Sequence, residues 1–218
     1  MKIGVIIPTK NRFVFLEQAK KMLKEQTLQP DQVEIVDDES PYKDYDIGWR
    51  YKLGIERTKD CDFVVFWEDD DYYTTKHIET LFKYYLKDKS GLIGCNKTIF
   101  YHLKINRMVV IDHPIHASMF CMGMGARRKI FKRIDDQERF IDLFLTKNCK
   151  GIYINDITAI GIKHGIGEVG MKAGHDINDI LWQKNLNRKH KSKVIIDKDY
   201  NILKMATKHH YEFYKNLI

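Results

Sequence analysis

The sequence predicts an α/β fold: a mostly parallel central sheet flanked by helices, followed by a mixed half. Three observations lead there. Short apolar runs alternate with helical patterns over the first 95 residues, and strand–helix–strand order implies parallel strands with helices on the sheet faces. The first three apolar runs each end in a polar cluster, at residues 8–12, 37–40 and 68–71. In open α/β sheets, ligands bind beyond the carboxyl ends of the strands. The three clusters therefore mark one edge of one sheet as the functional edge.

Ile3 to Pro8 is a short apolar run closed by proline, and reads as a buried strand. Asn11 can cap the helix that follows, which carries Phe15, Leu16, Ala19, Met22 and Leu23 at helical spacing and stops before Pro30. Val33 to Val36 is a second strand, ending at Asp37-Asp38-Glu39-Ser40. A helix spans Ile47 to Arg57. Phe63 to Trp67 is the third strand, ending at Glu68-Asp69-Asp70-Asp71. Thr74 or Thr75 can cap a helix that turns Ile78, Leu81, Phe82 and Tyr85 inward, and Leu92 to Cys95 is a fourth strand.

The second half alternates less regularly. Thr98 to Leu103 and Met108 to Ile111 read as a hairpin around Asn106-Arg107. Ser118 to Gly123, Gly151 to Ile154 and Ile157 to Lys163 read as strands. Ala126 to Arg133, Gln137 to Asn148 and Asp176 to Leu186 read as helices. The basic stretch from Arg188 to Lys193 leads into Val194-Ile195-Ile196, and a last helix is predicted from Met205 to Leu217.

With 218 residues, the chain is long enough for one domain with a substantial core. No apolar run reaches the ~20 residues of a membrane span. Met1-Lys2 leads directly into a run too short for a signal peptide, so a cytoplasmic protein is expected, in the host cytoplasm if the chain is viral. Cys61, Cys95, Cys121 and Cys149 lack paired metal-ligand spacing and read as reduced, mostly buried thiols. A net charge of +7 favours an anionic partner: a nucleotide, a nucleic acid or an acidic glycan.

Four consecutive carboxylates after an apolar strand repel one another, and each raises the pKa of its neighbours. A divalent cation removes that penalty and takes carboxylate oxygens as ligands. The alternative is a solvated acidic turn with Asp71 capping the next helix.

Three segments together resemble the family 2 glycosyltransferases of the GT-A fold: Ile6-Ile7-Pro8-Thr9-Lys10-Asn11-Arg12, Ile35-Val36-Asp37-Asp38-Glu39-Ser40 and Phe66-Trp67-Glu68-Asp69-Asp70-Asp71. The clear resemblance covers residues 1–95 and weakens towards 165. It implies a single GT-A, Rossmann-like domain over 1–218. Within it, 1–95 would bind the nucleotide-sugar, 96–167 would carry the acceptor and catalytic groups, and 168–218 would be a C-terminal helical appendage. The donor would be a UDP-sugar, in most cases a hexose, held with Mn²⁺ or Mg²⁺.

By this resemblance Pro8, Thr9, Asn11 and Arg12 form the donor-side turn. Thr9 and Asp38 contact the base, Asp69 lies near the ribose, and Arg50 or Lys52 is the basic group beside the donor. Asp70 is the principal metal ligand. Asp71 and Glu68 flank it, with Glu68 standing where the family more often has Asp. His164, in Ile162-Lys163-His164-Gly165, resembles the histidine that completes the metal shell. Lys163, Lys172 and His175 are further candidates for phosphate contacts.

An inverting transferase also needs a carboxylate to take the acceptor proton. Residues 135–145 hold three candidates: Glu138, Asp136 and Asp142, in that order. The family's E-D pair is missing at the usual offset, and without a base here a retaining mechanism becomes the alternative. His113 and His116 could line an acceptor pocket. Trp49, Trp67 and Tyr72 could stack on a sugar or base, Trp67 fitting core packing better. The acceptor could be a growing glycan, a lipid-linked sugar or a protein, or DNA carrying a hydroxylated base, which the basic stretch at 188–193 permits. A nucleotidyltransferase is the rival activity, but the first strand lacks a glycine- and lysine-rich phosphate loop. A non-catalytic nucleotide-sugar-binding module is the third reading.

Overall fold

The computed structural model describes residues 1–43, 45–87, 91–113, 120–138, 141–149, 151–165 and 192–217. The expected helix at 176–186, the basic residues at 188–191, and Lys172, His175 and His116 lie outside them.

The first half follows the expected order: β1 (Ile3–Pro8), α1 (Phe13–Lys24), β2 (Gln32–Val36), α2 (Ile47–Arg57), β3 (Phe63–Phe66), a short β4 (Tyr72–Tyr73), α3 (His77–Lys87) and β5 (Leu92–Cys95). The second half adds β6 (Thr98–His102), β7 (Arg107–Ile111), β8 (Phe120–Gly123), α4 (Met124–Phe131), α5 (Ile141–Asn148), β9 (Gly151–Ile154), β10 (Ala159–Lys163), β11 (Ser192–Ile196), α6 (Asn201–Thr207), a 3₁₀ turn (Lys208–His210) and α7 (Tyr211–Lys215). Among the described residues, six strands form the main sheet in the order β2-β1-β3-β8-β5-β9, and five form a second sheet, β11-β7-β6-β10-β4. β1 pairs in parallel with β2 and β3. β8 is antiparallel to both of its neighbours, and β9 runs parallel to β5.

The period-two alternation of a strand explains why this sheet is covered on both faces. Ile3, Val5 and Ile7 of β1, with Phe63, Val65 and Trp67, join one core with Leu16, Ala19 and Met22 of α1 and Ile78 and Leu81 of α3. Ile6, Val64 and Phe66 point the other way, into a second core with Tyr51 and Ile55 of α2, Ile130 of α4 and Leu145 of α5. Cys61, Cys95 and Cys149 are buried free thiols.

Polar ties fix the helices on this frame. The Gln26 amide donates to Thr74 O (2.9 Å) and accepts from the Ile78 N–H (3.1 Å), joining the end of α1 to the start of α3. Buried Arg127 of α4 donates to the carbonyls of Thr58 and Cys61, bracing the turn before β3.

Three details differ from the sequence-based expectations. Asn11 does not cap α1. It takes a left-handed conformation (φ 54°), which Asn tolerates, and Arg12 becomes the N-cap residue. The last helix is broken, because Lys208 adopts φ 52° at the end of α6. And the described residues 192–217 are more than a helical appendage. β11 pairs antiparallel with β7, while Leu203 and Tyr214 lie fully within the first core. Tyr200, Leu203, Tyr211, Phe213, Tyr214 and Leu217 pack this segment against the first core.

Gly48, in the first turn of α2, lets the 135–138 loop approach closely. A Cβ there would stand 2.2 Å from Asp135 O and 2.9 Å from Glu138 N, and Trp49 N–H donates to Asp136 O (2.8 Å). Backbone atoms on both sides cannot yield cheaply. Gly48→Ala should therefore cost about 1–3 kcal/mol through overpacking, a fall in Tm of roughly 2–12 °C for a chain this size. An unchanged melting curve would show that the loop does not rest on α2.

Candidate active site

The carboxyl ends of β1, β3 and β10 meet at one point. Thr9 follows β1, its N–H donating to Val36 O (3.1 Å), and Trp67 N–H donates to Ile6 O (3.0 Å), so the two strand ends are level. The left-handed turn at Asn11 then carries Arg12 across to the acidic segment after β3. One guanidinium nitrogen lies 2.9 Å from Asp69 Oδ1, the other 2.6 Å from Asp70 Oδ2. The guanidinium lies over the Phe15 ring, 4.6 Å from its centroid. Thr9 Oγ1 donates to the second oxygen of Asp69 (2.7 Å).

His164 arrives from the other half of the chain. β10 pairs with β4, Ile160 opposite Tyr72, directly beyond the acidic segment. The Ile162 N–H donates to Asp71 Oδ1 (2.8 Å), which locks β10 to that segment. His164, fully buried against Phe15, then places Nε2 2.9 Å from Asp70 Oδ2 and 3.2 Å from the Arg12 guanidinium. Gly165 follows in a left-handed conformation (φ 70°). Two tyrosine hydroxyls hold the acidic backbone from below. Tyr73 Oη is bonded to Glu68 N–H (2.6 Å), and Tyr214 donates to Asp71 O (3.0 Å).

The electrostatics follow from this crowding. Burial, then Asp71 and Asp70, push the Glu68 carboxyl well above the carboxylate range. Burial and Asp70 also raise Asp69, against the opposing pull of Arg12 and the Thr9 hydrogen bond. Burial alone would lower Arg12, but Asp70 and Asp69 outweigh it and hold the guanidinium charge more firmly than usual.

Glu68, Asp70 and Asp71 each offer a carboxylate oxygen, and the three atoms lie within 4.8 Å of one another. Hard oxygen donors, an imidazole beside them and carboxyls raised by mutual repulsion suit Mn²⁺ or Mg²⁺. These residues fit the expected cation. Arg12 sets its positive charge against Asp69 and Asp70.

Asp142 lies half-buried in the first turn of α5. Burial raises its carboxyl to about 6, against the pull of its own and the Leu143 backbone N–H groups and of Lys163, while Glu138 pushes it further up. Glu68 feels both Lys163 and Asp142, so Asp142, Lys163 and the acidic segment share one field. Asp136 faces elsewhere. It accepts from Tyr42 (2.8 Å) and Lys52 (2.9 Å), which lower its pKa. With Lys52, Tyr42 and Ile134 it lines an open groove of about 350 Å³.

The structure gathers Thr9, Arg12, Glu68, Asp69, Asp70, Asp71 and His164. It engages other expected residues differently. Arg50 is buried, donating to Val36 O (2.8 Å) and to Asp46 (2.9 Å), so it braces the end of β2. Lys52 turns to Asp136. Asp38 is gripped by Arg57, with two contacts of 2.7 Å, and its carboxyl is lowered as a result. Trp67 is core, stacked 3.8 Å from Tyr73. Sequence reasoning missed Tyr51. It is fully buried, and its hydroxyl has no hydrogen-bond partner among the described residues. Burial, then Glu68, Asp71 and Asp142, raise it far above its usual range. Its helical spacing to Ile55 reads as core packing, which hid it.

No protein-family model matches this chain, and no curated protein sequence matches it. Solved structures do. TarS 1–349 of S. aureus in complex with UDP-GlcNAc superposes with a TM-score of 0.57 at 13% identity, over 84% of this chain and 64% of that one. The same protein in complex with UDP gives 0.51 at 14% identity, over 74% and 60%. The chain thus spans less than two thirds of the length of these two structures. At such identity the likeness speaks for architecture, which agrees with the sheet order and strand directions above: this chain has the GT-A fold of the glycosyltransferases.

Proposed function

We propose that this chain is a metal-dependent glycosyltransferase that moves a hexose or N-acetylhexosamine from a UDP-sugar to an acceptor hydroxyl with inversion. The convergence of Thr9, Arg12, Asp69, Asp70 and His164 at the ends of three strands carries this reading. That S. aureus TarS is seen with UDP-GlcNAc and with UDP in the same architecture supports the choice of donor.

A divalent ion held by Asp70, with Glu68, Asp71 and His164, would neutralise the leaving diphosphate. The chain's own groups do the rest. Thr9 holds the Asp69 carboxylate in place for the nucleoside. Arg12, released from Asp69 and Asp70, carries its charge to the phosphates. Asp38 reaches the base once it leaves Arg57. The acceptor oxygen attacks the anomeric carbon as the bond from that carbon to the phosphate oxygen breaks. UDP departs with the bonding electrons, and the hydroxyl proton passes to a carboxylate.

Asp142 is the candidate that best fits this last role. Its raised pKa and its place in the field of Glu68 and Lys163 suit a base poised near neutrality. Glu138 stands beside it, and Asp136 is committed to Lys52 and Tyr42. The acceptor is a glycan or a hydroxylated base in DNA.

The rate of transfer should rise with pH through about 6, as Asp142 loses its proton, and then level off. Asp142→Asn should abolish that rise and lower kcat about 10²–10⁴-fold. The same carboxyl has a second signature. Ionising a buried acid costs folded-state stability. That cost is absent below about 3.8, grows as pH rises through about 6, and is complete above it. Asp142→Asn should therefore raise Tm at pH 7.5 and leave it unchanged near pH 3.5. A variant that keeps wild-type turnover refutes the assignment of the base.

The activity itself is read by incubating the purified chain with a panel of UDP-sugars and Mn²⁺ and measuring UDP release. Turnover with at least one donor, lost in Asp70→Asn, is expected. Release of pyrophosphate from UTP instead, or full activity in Asp70→Asn, would overturn the proposal.

A further inference from the structure

Away from the strand ends, a second set of metal-binding side chains lies where the C-terminal segment meets the end of α1. Glu25 is the C-cap residue of α1, where the helix dipole favours positive charge. His209 and His210 each place Nε2 2.9 Å from the same Glu25 oxygen, Oε2. The three ligand atoms lie within 4.8 Å of one another.

That convergence is not what the local backbone gives by default. Successive residues of a 3₁₀ turn point about 120° apart, yet the two rings lie side by side, with centroids 4.1 Å apart. Lys208, at φ 52°, ends α6 and sets the turn that makes this possible.

The site has the parts of a built one. His210 is almost fully buried, and its Nδ1 lies 2.7 Å from the Gln18 amide. A metal-bound imidazole gains this kind of partner at its other nitrogen, which fixes ring and tautomer. Reversing the amide turns its oxygen to Nδ1–H and leaves Nε2 as the lone-pair donor. Glu25 is one-third exposed and His209 is 61% exposed, so the outer side is open to water. Metal–ligand bonds of about 2.0–2.1 Å in a tetrahedral shell put ligand atoms roughly 3.3 Å apart. The two 2.9 Å spacings from Glu25 Oε2 need to open by only a few tenths of an ångström, and the two Nε2 atoms lie within 4.8 Å of each other.

We propose that Glu25, His209 and His210 bind a transition ion of the zinc class, with water as the fourth ligand. Two imidazoles and one carboxylate suit Zn²⁺ or Co²⁺, whereas Mg²⁺ demands oxygen donors. The ion staples the C-terminal segment to α1. That segment carries Tyr214, whose hydroxyl holds the Asp71 carbonyl at the other site, so the staple also steadies the floor of the acidic cluster.

The test uses the full chain, stripped with chelator and titrated with Co²⁺ in excess Mg²⁺, with wild type, H209A, E25Q and D70N compared. Wild type and D70N should each bind one Co²⁺ with tetrahedral ligand-field bands, displaced by Zn²⁺. H209A, whose exposed side chain can be removed without disturbing the core, and E25Q should lose those bands, their Co²⁺ affinity falling at least about tenfold. Zn²⁺ should raise the Tm of wild type but not of H209A. Equal Co²⁺ binding by wild type and both variants, loss of the bands in D70N alone, or no stoichiometric binding by wild type would overturn the proposal.

Discussion

Everything at the functional edge follows from one electrostatic constraint: Glu68, Asp69, Asp70 and Asp71 are packed at the tip of a buried strand, and their negative charge has to be met there. Three of the four are buried, and burial and their neighbours' charges push the Glu68 and Asp69 carboxyls upward. Each neighbouring group answers that cost. Arg12 bridges Asp69 and Asp70, the Thr9 hydroxyl and the Ile162 N–H each satisfy an oxygen, and His164 sits on Asp70. Under the proposed function, a cation entering here would free the Arg12 guanidinium beside an anionic ligand, so that charge would move within a pocket already laid out.

The fold makes this constraint affordable by fixing the backbone beneath it from several directions. The acidic segment, Glu68 to Asp71, has no regular structure and leads into β4, only two residues long. It is held by β10 on one side, by Tyr73 from within and by Tyr214 from the C-terminal helix. A chain of packed elements therefore connects residues 12, 70, 164 and 214. The C-terminal segment belongs to this support, which gives its fastening to α1 a functional meaning.

Much of this was legible in the sequence because the first half obeys simple periodicities. β1 and β3 alternate faces strictly, α1 to α3 carry apolar stripes, and each strand announces its end with polar residues. The acidic run could be named in advance because strand ends and charge repulsion are readable from residue types, whereas Thr9, Arg12 and His164 were named through the resemblance of their segments to the family 2 glycosyltransferases. Other features depend on contacts far apart in sequence. Arg57, 19 residues beyond Asp38, is the partner that holds it, and Arg50 turned inward to Val36 O because the end of β2 needed a donor. Neither choice has a local signal. Tyr51 and Tyr214 look like ordinary core aromatics, and only the folded chain shows where their hydroxyls lie. Asp142 was ranked below Glu138 because spacing cannot reveal burial, and burial is what sets its proton affinity. The antiparallel place of β8 between β3 and β5 was equally hidden, since a strand's partners are set by topology and not by its own residues.

The central claim is that the acidic cluster, a divalent ion and a uridine diphosphate form one coupled site. Calorimetric titration of UDP into the chain, with and without Mn²⁺, tests this directly, because two ligands that share a site must strengthen each other's binding by the same factor. The account predicts that Mn²⁺ tightens UDP binding and that UDP tightens Mn²⁺ binding equally. UDP binding of the same strength in the presence and absence of Mn²⁺, or no binding in either, would contradict it.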